Sequence, residues 1–136
     1  KKKKNIFLKK IDFNKFKYKK NYYDLILDKT SLTHNKISDI KKTLKKINYS
    51  LTDNGLFFSV MSNKYASFDT SKKDKRAFKF VTPGKKGLLT NFFSKSEIIQ
   101  LFKDFVILEL KEELHIIHKP MKTKFSSWNI ICKKIL

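Results

Sequence analysis

Two aspartates stand just beyond apolar runs. Asp12 follows NIFLKKI at 5–11 and precedes Phe13; Asp28 follows YDLIL at 23–27 and precedes Lys29. A carboxylate at the end of a strand can accept hydrogen bonds or complement a cation. His34 comes shortly after, where an imidazole near neutral pH could take a proton from a thiol, amine or hydroxyl. Asn63, Lys64 and Tyr65 follow the apolar run at 56–61 and offer polar groups at the end of another strand. Glu112, His115 and His118 are spaced by three, as metal ligands on a helix face would be. They lie in a strand-rich region, where that spacing sends neighbours to opposite faces, and no further ligand is in register. No metal is therefore expected. Cys132, the single cysteine, sits in an apolar run and reads as a core residue of a reduced, cytoplasmic chain.

These groups need elements to hold them. Residues 23–27 read as a strand, fully apolar apart from Asp24, of the kind buried on both faces of a parallel sheet. Ile37, Ile40, Leu44, Ile47 and Leu51 then recur at three and four, the stripe of an amphipathic helix, with Asn35 or Ser38 available to cap it. Asp53-Asn54-Gly55 reads as a closing turn with Gly55 free to take positive φ, and LFFSVM at 56–61 as the next buried strand. Strand, helix and strand make a right-handed βαβ unit. Residues 62–91 read as an irregular excursion over the carboxyl edge, with a short strand or ordered loop near Phe78–Val81. Ser94 and Glu97 predict a capping box, with Phe93 and Ile98 as its staple. The runs at 105–110 and 128–135, with no helix between them, predict an antiparallel pair. Residues 5–11 read as a further short strand.

A βαβ unit, a helix and a closing antiparallel pair resemble the C-terminal part of class I S-adenosylmethionine-dependent methyltransferases. YYDLILDKTSLTH is similar to that family's fourth strand and the loop after it, and SDIKKTLKKINYSLTDNGLFFSV to its next helix, turn and strand. TNFFSKSEIIQLF resembles a helix-opening segment of small-molecule methyltransferases of the tellurite and thiopurine kind, and SSWNIICKK the final strand. The resemblance covers essentially the whole chain. It implies an α/β fold: a partial Rossmann-like methyltransferase sheet, mostly parallel, closed by an antiparallel C-terminal pair, with 1–136 as the C-terminal portion of one domain. It implies S-adenosylmethionine as cofactor. Asp12 would accept from the adenine amino group and Phe13 would lie beside the ring. Asp28 and Lys29 would lie near the methionine moiety, His34 in the pocket as the candidate catalytic residue, and Asn63 and Tyr65 toward a small-molecule acceptor. The family's glycine-rich cofactor loop has no counterpart, since Gly55, Gly84 and Gly87 stand in other contexts. The family's strand order would set 23–27, 56–61, 128–135 and 105–110 side by side in that sequence. It would leave 23–27 at an open edge, an aggregation liability, with 5–11 not paired to it.

Composition bounds the alternatives. With 136 residues, 40% apolar and 13 phenylalanines, the chain can build one modest core, and no run is long enough for a membrane span. The net charge of +20 raises nucleic acid as a partner, but Arg76 is the only arginine, and phosphate and base readers lean on the guanidinium fork. The lysines therefore read as a solvated surface. A second reading stands beside the enzyme: a non-catalytic remnant that binds RNA or an acidic partner through its lysines. A shallow salt slope of RNA binding would mark the charge as incidental.

Overall fold

The first strand forms at the apolar run of 23–27, but it is not buried on both faces, since Leu25 and Leu27 are exposed. In the computed structural model, which describes residues 7–63, 77–80, 88–118 and 123–135, β1 (Tyr23–Lys29) leads through a 3-10 turn (Leu32–His34) into α1 (Ile37–Ser50). The helix buries Ile40, Thr43, Leu44, Ile47 and Ser50 and turns its lysines outward, as its apolar stripe predicts. Lys36 is the N-cap and makes no side-chain capping bond, so neither Asn35 nor Ser38 fills that role. β2 (Leu51–Ser62) starts immediately, without the expected turn at 53–55. The register instead jumps, from Tyr23 opposite Leu51 to Leu25 opposite Leu56, so 52–55 bulge outward at the strand's start. Gly55 serves close approach there and not positive φ: a Cβ would lie 2.8 Å from the Tyr23 carbonyl oxygen.

β3 (Ala77–Phe80) and β4 (Leu88–Asn91) form a separate antiparallel pair within the segment read as an excursion. α2 (Lys95–Leu101) opens with the predicted capping box: the Glu97 N–H donates to Ser94, and the Ser94 N–H donates to the Glu97 carboxylate. β5 (Phe105–Ile117) and β6 (Thr123–Lys134) are both longer than their apolar runs, because charged residues continue the antiparallel ladder beyond them. The main sheet has the order β1-β2-β6-β5. That is the expected order, with β1 at an edge.

Two expectations are corrected. The sheet is mixed and not mostly parallel: β1 and β2 run parallel, while β2–β6 and β5–β6 are antiparallel. Residues 7–11 form no strand, and Phe7 and Leu8 are exposed. Among the described residues no helix is long and apolar enough to cross a membrane.

The two faces of the sheet differ sharply. On one, Phe57, Ser59, Met61, Trp128, Ile130 and Cys132 are buried together with the residues of α1 and α2. Phe57, Phe102 and Phe105 form its aromatic centre, with ring centroids 5.9–6.1 Å apart. On the other, the cross-strand rows Leu25–Leu56–Lys133–Val106 and Leu27–Phe58–Ile131 face outward. Leu25 is 53% and Leu27 66% exposed. An apolar row at an unpaired strand edge invites association.

Replacing Leu25 and Leu27 with lysine is expected to suppress concentration-dependent self-association in sedimentation velocity while leaving the melting temperature within a few degrees. Burial pushes the Cys132 thiol up to about 12. The unfolded thiol ionises near 9, so the contribution of the folded thiol is complete below that pH and falls as pH rises toward 12. Iodoacetamide should leave native Cys132 unmodified at pH 8 and label it once urea unfolds the chain. Relative to Cys132→Ala, the wild type should lose stability between those two pH values.

Candidate functional site

Asp28 is where β1 ends and the chain must leave the sheet. Its side chain is 7% exposed, and both oxygens are used. Oδ1 accepts from the Ser31 N–H at 3.0 Å, the Ser31 hydroxyl and the Leu32 N–H at 3.3 Å. Oδ2 accepts from the Ser59 hydroxyl at 2.8 Å, across on β2. A buried carboxylate is tolerable only with such donors. The carboxylate cross-links the strand end, the following turn and the neighbouring strand. Between them Thr30 is held at φ 65°, left-handed backbone that a β-branched residue rarely adopts. Its N–H donates to Val60 and its hydroxyl to the Lys29 carbonyl.

The turn so fixed carries the rest of the edge. The Thr33 hydroxyl donates to the Asn91 carbonyl at 2.7 Å, and the Asn91 amide returns to the Thr33 and Asn35 carbonyls at 2.9 and 2.6 Å. His34 Nδ1 lies 3.0 Å from the Thr90 hydroxyl. The end of β4 is thereby clasped to the loop after β1. Phe93 donates its N–H to the Ser62 carbonyl, which ties the same segment to the end of β2.

Asp12 caps a 3-10 turn at Phe13–Lys15, with Oδ1 accepting from the Asn14 N–H at 2.9 Å. Asn14 then reaches Asn35 and Thr43, and Lys46 donates to the Asn14 carbonyl, so this turn docks on α1 beside the loop after β1. Phe13 is half-buried and packs against the core together with Tyr18. Burial, then Tyr23, then Asp28, raises the Tyr18 phenol, which stays neutral near Asp28.

Asp28, Lys29 and His34 thus stand at or just after the carboxyl end of β1, and the turn that Asp12 and Phe13 open is tied through Asn14 to Asn35 and α1. The structure also changes what several of them can do. Asp28 has its carboxylate engaged by internal donors on both oxygens. Lys29 is exposed. His34 is engaged by Thr90. Asn63 lies at the end of β2 but is fully buried, its amide donating to Glu112 at 2.6 Å, with Ser126 on the same carboxylate oxygen. Lys64 and Tyr65 lie outside the described residues. Glu112 faces Asn63, whereas His115 pairs with Glu113 and contacts Ser127, and among the described residues no group of three His, Cys, Asp or Glu could hold a metal. Thr33 and Asn91 were not singled out from the sequence; NF after LLT carries no signal for a clasp to a loop 58 residues away.

A class follows from this arrangement. The fold, with its parallel strand–helix–strand crossover and antiparallel closing pair in the order β1-β2-β6-β5, is shared with solved S-adenosylmethionine-dependent methyltransferases. Such an enzyme from Methanosarcina mazei superposes with a TM-score of 0.73 at 14% identity, over 93% of this chain and 66% of its own. The 1,6-didemethyltoxoflavin-N1-methyltransferase of Burkholderia thailandensis, solved with S-adenosylhomocysteine and 1,6-didemethyltoxoflavin, gives 0.65 at 14%, over 93% and 49%. TehB from Haemophilus influenzae gives 0.59 at 17%, over 92% and 40%. The chain therefore has the fold of part of a class I methyltransferase and spans less than two-thirds of the length of these structures. No family model matches it, and no curated protein is significantly similar in sequence.

The described edge fits such a cofactor in part. Asp12 and Phe13 offer a carboxylate and a ring in a turn tied through Asn14 to Asn35, in the segment after β1. Among the described residues no glycine-rich turn adjoins them: Gly55 lies at the opposite, amino end of β2, against Tyr23, and Gly84 and Gly87 lie outside the described residues.

Removing the carboxylate in Asp28→Ala should cost about 3 kcal/mol, because it strands several buried donors at once. Asp28→Asn, which keeps an acceptor at Oδ1, should cost less. Urea denaturation of both variants checks the order.

Proposed function

We propose that this chain forms the acceptor-side part of an S-adenosylmethionine-dependent methyltransferase acting on a nucleophilic heteroatom of a small molecule. The reading rests on the Asp28–Thr30 backbone and His34 at the carboxyl end of β1, with the Asp12–Phe13 turn tied through Asn14 to Asn35 just beyond it. In open α/β sheets that is where ligands bind.

The cofactor, when bound, supplies a methyl group on a sulfonium, which a nucleophile displaces. The work of this chain is positioning. Asp12, with one oxygen committed to the turn, can present the other to an exocyclic amine, and Phe13 beside it offers an apolar surface. The Asp28 network holds the backbone of the strand end rigid, so its carbonyls keep a fixed direction toward an ammonium. The Thr33–Asn91 clasp closes the side of the edge from which water would enter. His34 lines this edge, its Nδ1 oriented by Thr90, and can accept a proton from an amine or hydroxyl acceptor. A thiol or selenide acceptor needs little such help, and alignment alone supplies most of the rate. Asn63 shapes the acceptor side through Glu112 and not by direct contact. The similarity to the toxoflavin enzyme and to TehB supports a small acceptor.

Calorimetric titration of the product of the complete open reading frame with S-adenosylhomocysteine is expected to show one saturable site. Asp12→Asn should weaken it by about tenfold, the worth of one hydrogen bond to a ligand. Release of S-adenosylhomocysteine with thiol, selenide or amine acceptors should follow. No binding, together with tight, salt-steep RNA binding, would favour the basic binding module instead.

A further inference from the structure

α1 and α2 do not close on one another. A cavity of about 490 Å³ lies between them, within the size range of small-molecule sites. Its floor is apolar: Leu44, Phe92, Phe93 and Phe105 are all buried and line it. Its rim is basic. Lys41 and Lys45 stand one turn apart on the same face of α1, and Lys103 faces them from beyond α2. Like charges four apart on a helix repel, and none of the ion pairs among the described residues includes these three lysines. Two carboxylates also line it: Glu97, which accepts the N–H and hydroxyl of Ser94 at 2.8 and 2.9 Å, and Asp104, so the three ammonium groups outnumber the carboxylates by one.

We propose that this cavity binds an amphipathic anion, with an aliphatic or aromatic body on the Leu44–Phe92–Phe93–Phe105 floor and a single carboxylate head between Lys41, Lys45 and Lys103. An apolar floor rewards burial of a hydrocarbon body. A head that relieves the repulsion between Lys41 and Lys45 adds sign specificity. The site lies on the helix-covered face of the sheet, so it stands or falls independently of the methyl-transfer reading.

The molecule carries its own reporter. Trp128, the only tryptophan, donates its indole N–H to the Phe93 carbonyl at 2.8 Å, directly behind the cavity floor. The product of the complete open reading frame is titrated with sodium dodecanoate below its micellar concentration, following Trp128 fluorescence, with calorimetry for stoichiometry. One saturable site is expected. Dodecylammonium should bind at least tenfold more weakly, and Lys41→Glu/Lys45→Glu should weaken dodecanoate by at least tenfold. Both lysines are exposed, so the far-UV circular dichroism of the variant should match the wild type; should it not, Lys103→Glu replaces it with the same expectation. Leu25→Lys/Leu27→Lys, on the open sheet face, should leave dodecanoate affinity unchanged. Equal affinity for the two head groups, insensitivity to charge reversal, or loss of binding in the Leu25/Leu27 variant would overturn the proposal. So would the absence of saturable binding, or saturable binding of an acidic amphipathic peptide where dodecanoate shows none.

Discussion

The carboxylate of Asp28 is the interaction on which the rest of the carboxyl edge depends. A strand that ends inside a fold must turn without leaving buried polar groups unpaired. Here one side chain meets that demand: it accepts from two backbone N–H groups of the following turn and from a hydroxyl on the next strand. The geometry is tight enough to hold Thr30 in left-handed backbone, strain of about 1–3 kcal/mol that persists only where the surroundings dictate it. From that turn the chain reaches Thr33, and from Thr33 the clasp to Asn91 brings the end of β4 over the edge.

A second constraint acts at the level of layers. An apolar sheet face is stable when something covers it. α1 and α2 cover one face of this sheet, and the Phe57–Phe102–Phe105 cluster is the result. The other face keeps Leu25, Leu27, Leu56 and Val106 exposed among the described residues. This asymmetry agrees with a chain that spans only part of the methyltransferase structures it superposes on. The four lysines of α1 sit outside these layers, on its solvent side, and contribute solubility more than architecture.

Much of the fold was legible in the sequence, for local reasons. The three-and-four stripe from Ile37 to Ile47 and the Ser94–Glu97 capping box are short-range patterns, and each produced its element. The strand order came from resemblance, since spacing alone does not order a sheet. The failures were of longer range. Asp53-Asn54-Gly55 has turn chemistry but serves as a bulge beside Tyr23, because pairing with β1 overrides it. Residues 7–11 have strand composition and form no strand. At the site, side-chain directions were not legible. Asp28 was placed near the cofactor and Asn63 toward the acceptor because they end strands. Their side chains turn inward because Ser59 and Glu112, distant in sequence, supply the better partners.

The central claim is that the carboxyl end of β1, with Asp12 and Phe13 beside it, receives the adenosyl cofactor. Ultraviolet cross-linking with methyl-labelled S-adenosylmethionine, followed by peptide mapping, tests it most directly. Label confined to the peptides spanning 12–18 and 28–35, and removed by competing S-adenosylhomocysteine, is the predicted result. Label distributed over the lysine-rich surface and indifferent to the competitor would contradict it.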